Sequence, residues 1–190
     1  MWMKNNKAHH PTVLAFAGPN GSGKSTVTRG LSVFGTYVNA DDLKAENKMT
    51  DLEAAKHAEA LRNKLLSKGA DFSFETVLST DRNLLLLKKA KESGYDVQCV
   101  YVLTCDENIN VARVRARVAA GGHGVPEDKI RNRYHRSLKL IPELVEICDK
   151  ILIYDNSDMP TLIFKKENGI AAQFPNVIWT KKKLTMLLGI

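Results

Sequence analysis

The sequence lacks the features that mark several classes of protein. It contains only three cysteines, Cys99, Cys105 and Cys148, and their spacing matches no zinc or redox motif. An odd number also argues against a disulfide framework, which fits a reducing cytosol. No apolar run approaches the roughly 20 residues that cross a bilayer, and the polar residues 1–11 contain no signal-peptide core. We expect a cytoplasmic protein with no membrane partner and with residues 1–11 as a flexible leader.

The chain also shows no internal repeat and no linker, so residues 1–190 are expected to form a single domain. Its composition, 44% hydrophobic and 26% charged, is typical of a folded protein. The net charge of +7 indicates either a nucleic-acid partner or an enzyme with polyanionic ligands. Aromatic residues that would stack on RNA are not evident on a basic strand. Nucleic acid is therefore not the partner that we expect.

Short apolar runs alternate with amphipathic stretches along the chain. This alternation predicts an α/β protein of three layers, with a roughly five-stranded parallel sheet between helices. A C-terminal extension at 158–190 contains a predicted β-hairpin that turns at Asn168-Gly169. The predicted strands are 12–17, 37–39, 71–75, 97–103 and 150–154, and the predicted helices begin near 24, 50, 82, 106 and 126.

The segment from Gly18 to Ser25 matches the phosphate-binding motif G-x-x-x-x-G-K-[ST] in full, between a predicted strand and a predicted helix. Glycines allow backbone N–H groups to surround phosphate oxygens. An exposed Lys24 would neutralise the terminal phosphates of ATP, and Ser25 would offer its hydroxyl to Mg²⁺. The motif predicts a P-loop NTPase fold with ATP and Mg²⁺ as cofactors. The predicted ATP-binding residues are Gly18, Pro19, Asn20, Gly21, Ser22, Gly23, Lys24, Ser25 and Thr26.

The P-loop motif predicts that the protein binds a nucleotide, but it does not indicate which reaction the protein catalyses. An ABC-type ATPase, a small kinase and a nucleic-acid-coupled NTPase all fit it. The chain contains no LSGGQ-like signature and no apolar run ending in Asp-Glu, which argues against the ABC-type ATPase.

Two acidic positions follow predicted strands and are candidates for catalysis. A kinase needs a carboxylate that orients the acceptor hydroxyl and takes its proton, and we choose Asp41 over Asp42 for this role. The alternative for Asp41 is a helix cap. Glu75, at the end of an apolar strand, is predicted to hold Mg²⁺ through water or to bind the acceptor. The alternative for Glu75 is a solvated charge.

Basic residues between 113 and 141 predict a lid. Two cationic helices flank the glycine hinge 121–124, and their guanidinium groups would stabilise the charge that spreads over a phosphoryl group in transit. Closure would also exclude water. We predict catalytic roles for Arg117 and Arg133, whereas the pattern leaves the roles of Arg113, Arg115, Arg131 and Arg136 open.

Four segments, AFAGPNGSGKST, NADDLK, FETVLST and RVAAGGHGVPEDKIRNRYHRSL, resemble the zeta-toxin-like family of small P-loop kinases, in particular its compact bacterial branch. The resemblance covers residues 12–157. It implies a kinase that depends on ATP and Mg²⁺, an acceptor such as UDP-N-acetylglucosamine, and a small antitoxin protein as partner.

The resemblance also implies site residues. It assigns Lys24 and Ser25 to the P-loop, Asp41 as the general base, Glu75 to the substrate site, and Arg117 and Arg133 to charge stabilisation. Larger zeta toxins have Glu-Gly-Thr where this chain has Glu75-Thr76, and Thr76 is predicted to contact the substrate beside Glu75. The expected function is transfer of the ATP γ-phosphate to a hydroxyl of a small metabolite. The alternatives are an ATP-dependent kinase or NTPase acting on nucleic acid, and an ATP-binding regulatory module.

Overall fold

The computed structural model describes residues 10–29, 31 and 33–190. Residues 1–9 of the predicted leader lie outside the described residues. Within the described part, no helix is long and apolar enough to cross a membrane.

One sheet organises the described residues, and its seven strands lie in the order β2-β3-β1-β4-β5-β6-β7. The first five strands of the sequence pair in parallel, and the last two pair antiparallel. The α/β prediction is therefore confirmed, with the C-terminal hairpin added to the same sheet. The strands are β1 Thr12–Ala17, β2 Thr36–Val38, β3 Phe72–Thr76, β4 Asp96–Leu103, β5 Lys150–Asp155, β6 Thr161–Glu167 and β7 Ile170–Gln173.

Helices cover both faces of the sheet, and two of them lack a strong sequence signal. The predicted capping box of Thr50 and Glu53 forms, and Pro142 separates two helices as expected. The segment at α2 is mostly polar, and the apolar residues of α8 span little more than one turn. Neither helix was predicted. The helices are α1 Lys24–Thr28, α2 Ala40–Asn47, α3 Asp51–Ser67, α4 Asp81–Glu92, α5 Glu107–Ala119, α6 Glu127–Lys139, α7 Ile141–Ile147 and α8 Lys181–Leu188.

The central strands are buried on both faces, which is why they appear in the sequence as continuous apolar runs. The larger core joins the sheet to residues of α3, α4, α7 and α8, among them Ala58, Leu87, Leu144 and Leu184. A smaller cluster on the opposite face contains Phe16. The core holds the carboxyl ends of the parallel strands at one edge.

The strand order predicts a ligand site at the carboxyl end of β1. From β1 the chain crosses to β2 and then returns to β3, which lies between β1 and β2, whereas β4 and β5 lie on the other side of β1. The direction of winding therefore reverses at β1. In open α/β sheets, ligands bind beyond the carboxyl ends of the strands at such a reversal.

Candidate functional site

The predicted P-loop connects β1 to α1, as the motif requires. Gly18, Gly21 and Gly23 all have positive φ values, 142°, 77° and 81°. A Cβ atom at Gly18 would lie 2.0 Å from the carbonyl oxygen of Val102, and one at Gly23 would lie 2.1 Å from Nδ2 of Asn156. The surrounding atoms therefore exclude any side chain at these positions, because the loop passes directly against its neighbours.

Two buried asparagines hold the P-loop, and no pattern in the sequence predicted either of them. Nδ2 of Asn110 donates to the carbonyl oxygen of Asn20 at 2.6 Å, and Nδ2 of Asn156 donates to the carbonyl oxygen of Ser22 at 2.8 Å. Both residues are nearly inaccessible to solvent. They lie far from the loop in sequence, so only the folded chain brings these amides to it.

Lys24 is buried rather than exposed, which corrects the expectation from the sequence. Its Nζ donates to the carbonyl oxygens of Gly18 at 2.9 Å and Pro19 at 3.4 Å, and it lies 3.6 Å from Oε1 of Glu75. Burial lowers the pKa of Lys24, and the nearby charge of Arg117 acts in the same direction, whereas Glu75 and Asp41 oppose the shift. The structure thus places these four predicted residues within electrostatic reach of one another.

Asp41 lies in the first turn of α2, beside Asp42. The capping residue of this helix is Asn39, whose side chain accepts a hydrogen bond from the backbone N–H of Asp41 at 2.9 Å. Among the residues that the structure describes, no side chain pairs with the exposed carboxylate of Asp41. The carboxylate of Asp41 therefore does not serve as the cap of α2.

Glu75 has a second partner that sequence reasoning missed. The hydroxyl of Tyr37 donates to Oε2 of Glu75 at 3.4 Å, and Asn39 donates to that hydroxyl at 3.5 Å. Burial, and then the charge of Glu75, raise the pKa of Tyr37, so its hydroxyl stays protonated at neutral pH and can donate. Glu75 is therefore held between an ammonium group and a phenol.

Thr76 makes contacts that stabilise the turn after β3. Its buried Oγ1 accepts hydrogen bonds from the backbone N–H of Leu78 at 2.9 Å and from Nδ2 of Asn83 at 2.7 Å. These bonds help hold Leu78 at a φ of 50°, which is unusual for a leucine. The carbonyl oxygen of Thr76 accepts from the N–H of Gly18 at 3.2 Å, so Thr76 also positions the P-loop against β3.

The arginines of the predicted lid region, 113–141, differ in the groups that they bind. Arg133 donates to Oδ1 of Asn20 in the P-loop at 3.2 Å, and Arg117 donates to the carbonyl oxygen of His123 in the glycine hinge at 3.1 Å. In contrast, Arg113 donates to the carbonyl oxygens of Asn156 at 2.7 Å and Ser157 at 3.1 Å. Arg113 therefore fixes the segment that holds the P-loop.

Two of the other arginines of this region bind acids. Arg115 pairs with Glu127, and Arg131 pairs with Glu127 and Glu107. These pairs tie α5 to α6. Arg136 is exposed.

No group of three or more His, Cys, Asp or Glu side chains that could hold a metal occurs in the described residues. Ser25 is exposed at the start of α1, and Glu75 lies close to Lys24. These two residues are the donors that the sequence predicts.

A family model described as "Zeta toxin" matches residues 2–168. The chain belongs to the zeta toxin family. A relative from Haemophilus influenzae, described as an uncharacterized protein, is 31% identical over 141 residues, which cover 70% of this chain and 96% of the relative. The resemblance stated from the motifs is therefore confirmed.

Solved structures show the same fold as this zeta toxin family member. One comes from the PezAT chromosomal toxin–antitoxin system of the human pathogen Streptococcus pneumoniae, with a TM-score of 0.58 and 20% identity, covering 83% of this chain and 72% of that chain. Another is the AvrRxo1-ORF1:-ORF2 complex with ATP, with a TM-score of 0.72 and 13% identity, covering 87% of this chain and 61% of that chain. At these identities the likeness supports the fold alone.

We predict that Asn156→Ala lowers the stability of the protein, because the carbonyl group of Ser22 loses its buried donor. The loss should be about 1–3 kcal/mol of unfolding free energy, measured by denaturant unfolding. Asn108→Ala is the control, because Asn108 is exposed, and it should change stability by less than about 0.5 kcal/mol. Equal stability of the Asn156 and Asn108 variants would contradict the anchoring role.

Proposed function

We propose that the protein is an ATP-dependent kinase that transfers the γ-phosphate to a hydroxyl of a small metabolite of the UDP-N-acetylglucosamine type. The observation that carries this proposal is the grouping of Lys24, Asp41, Glu75 and Arg117 beside the P-loop. A P-loop that served only to bind nucleotide would not need a free carboxylate beside the lysine.

ATP would occupy the P-loop, and Lys24 would neutralise its terminal phosphates. To do so, Nζ must exchange the carbonyl oxygens of Gly18 and Pro19 for phosphate oxygens. The exchange is favourable because charged phosphate oxygens bind an ammonium group more strongly than neutral carbonyl oxygens do. Mg²⁺, when bound, would neutralise phosphate charge, with Ser25 and Glu75 as its protein donors.

The acceptor hydroxyl would lie beside Asp41, which takes its proton as the acceptor oxygen bonds to the γ-phosphorus. The bond from phosphorus to the oxygen of ADP breaks in the same displacement. Glu75, held by Tyr37, would orient the acceptor, and Thr76 would support this site from the end of β3. Arg117 and Arg133 would stabilise the charge on the phosphoryl group during transfer.

The family also supports proposals about partners and organisation. We propose a small antitoxin protein as partner, because one neighbour in fold belongs to a toxin–antitoxin system. We further propose a cytoplasmic location and a single kinase domain, in which residues 113–141 form the lid and residues 158–190 the C-terminal extension.

Replacing Lys24 with Met should abolish ATP turnover while the protein stays folded. Methionine fills a similar volume, and it removes a buried charge whose desolvation is unfavourable. Thermal unfolding tests the fold, and release of ADP tests turnover. A folded Lys24→Met variant with undiminished turnover would refute the P-loop assignment.

Asp41→Asn should lower phosphate transfer by ~10²-fold or more, because the amide keeps the size of the side chain but cannot accept the proton. ATP affinity should hardly change. Asp42→Asn is the matched control, one residue along the same exposed turn, and it should retain most activity. Transfer should be followed with labelled ATP and a panel of nucleotide sugars. Full activity of Asp41→Asn would place the base elsewhere, with Glu75 the next candidate.

Arg117→Ala and Arg133→Ala should each lower kcat far more than they weaken ATP binding, by ~10³-fold if the group acts on the transferring phosphoryl. Separate measurements of ATP affinity and kcat distinguish the two effects. Arg136→Ala, which removes an exposed arginine from the same helix as Arg133, should leave both values near those of the unmodified enzyme. Equal losses of affinity and kcat would mean that Arg117 and Arg133 only bind ATP.

A further inference from the structure

A cavity of about 480 Å³ lies between α6 and the C-terminal helix α8. Its volume falls in the range of sites that bind small molecules, roughly 300–1,000 Å³. Residues of α6 form one wall, and residues of α8 and of the segment before it form the other. None of the P-loop residues lines this cavity, and neither do Asp41, Glu75, Arg117 or Arg133. The cavity is therefore distinct from the candidate kinase site.

The walls of the cavity are mainly apolar and are held in place by the core. Two of the lining side chains, Tyr134 and Trp179, are buried aromatic residues. The hydroxyl of Tyr134 donates to the carbonyl oxygen of Thr104 at 2.7 Å, and Trp179 belongs to the larger core. Leu138 and Leu187 also line the cavity and pack against that core. Fixed apolar walls around an open space favour a ligand with an apolar body.

Two lysines make the cavity positive. Lys139 of α6 and Lys183 of α8 are exposed and line the cavity, and no aspartate or glutamate lines it. Among the residues that the structure describes, no carboxylate forms an ion pair with either lysine. His135 also lines the cavity, but it already pairs with Glu107 of α5. The charge of the lining therefore attracts an anionic group.

The position of Lys183 in its helix strengthens this argument. The first turn of α8 contains Lys181, Lys182 and Lys183 and no acidic residue. The N-terminus of a helix carries a partial positive charge, so that cations are unfavourable there and anions are stabilising. The stability of α8 therefore does not account for a lysine at position 183. An anion beside Lys183 would be attracted by both the lysine and the helix terminus.

We propose that this cavity binds a small organic anion that has an apolar body. The body would pack against Tyr134 and Trp179, and the anionic group would pair with Lys139 and Lys183. Carboxylates, sulfate esters and phosphate monoesters of aliphatic or aromatic compounds belong to this class. The site does not rest on the proposed kinase function, because the cavity and the P-loop share no residue.

The first experiment uses Trp179 as a reporter of binding. The chain contains two tryptophans, so Trp2→Phe leaves Trp179 alone. The P-loop is saturated with Mg²⁺ and a non-hydrolysable ATP analogue. The fluorescence of Trp179 is then followed as decanoate, decyl sulfate or decyl phosphate is added, each below its critical micelle concentration. At least one of these anions should give a saturable change, whereas acetate, which lacks the apolar body, should give none.

Two further ligands test the role of charge with the apolar body unchanged. Decan-1-ol has a neutral head group, and decyltrimethylammonium has a cationic one. Both should bind at least ~10-fold more weakly than the tightest-binding anion, because neither can form a charged hydrogen bond with a lysine. Equal affinities for the alcohol and the anions would overturn the proposal.

Variants of the lysines locate the anionic group. The double variant Lys139→Gln, Lys183→Gln should raise the Kd of the anion by ~10-fold or more, because two charged partners are lost. Both lysines are exposed, so the double variant should remain folded. Lys182→Gln is the matched control, because Lys182 is an exposed lysine in the same turn that does not line the cavity. It should change the Kd by less than about twofold.

A charge reversal tests the location independently. Met186 is exposed and lines the cavity, so Met186→Glu places a carboxylate at its edge without disturbing the core. This variant should weaken the binding of the anion and strengthen that of decyltrimethylammonium.

Two results would overturn the proposed site. One is the absence of a saturable response to all three anions. The other is an equal Kd in the double variant and in Lys182→Gln. Neither measurement depends on phosphate transfer, so a failure of the proposed kinase function would leave both results valid.

Discussion

The close contact between the P-loop and its surroundings is the constraint on which the rest of the site depends. Backbone atoms of Val102 and Asn110 and the side chain of Asn156 lie where Cβ atoms would stand at the three glycines. This contact orders the loop in the absence of nucleotide. The conformational entropy of the loop is therefore lost during folding and not during nucleotide binding. The strand order then places β3 beside the loop, and Glu75 comes within reach of Lys24.

The charge pairing at the carboxyl ends of the strands follows from the same packing of the P-loop against β3. Without nucleotide, Lys24 is satisfied by two carbonyl groups and by Glu75, so the loop does not leave a buried charge without partners. The arginines of α5 contribute differently although they share one helix. Arg113 turns inward and binds the segment that holds the loop, whereas Arg117 is exposed beside the glycine hinge. One helix thus supports the site and supplies a charge to it.

Most of the parallel sheet and the P-loop were predictable because their signals are local. A buried strand is a run of apolar residues, and the loop has a fixed spacing of glycine, lysine and serine. The helix α2 was missed because its residues are mostly polar and its only cap signal, Asn39, is a single side chain. Tyr37 and Asn156 were missed because each acts through one hydrogen bond to a residue far away in sequence. Such pairs have no periodicity that a sequence can show.

The sequence by itself determined the fold class, the nucleotide loop and the set of acids and arginines that could act with it. These features depend on local conformation and on hydrophobic periodicity, which short segments express independently. Only the tertiary structure decided that Lys24 is buried, that Arg113 is an anchor, and that Arg62 lies against the ring of Phe74. Burial and charge pairing are properties of the assembled chain, because they depend on which distant segments exclude water from a side chain.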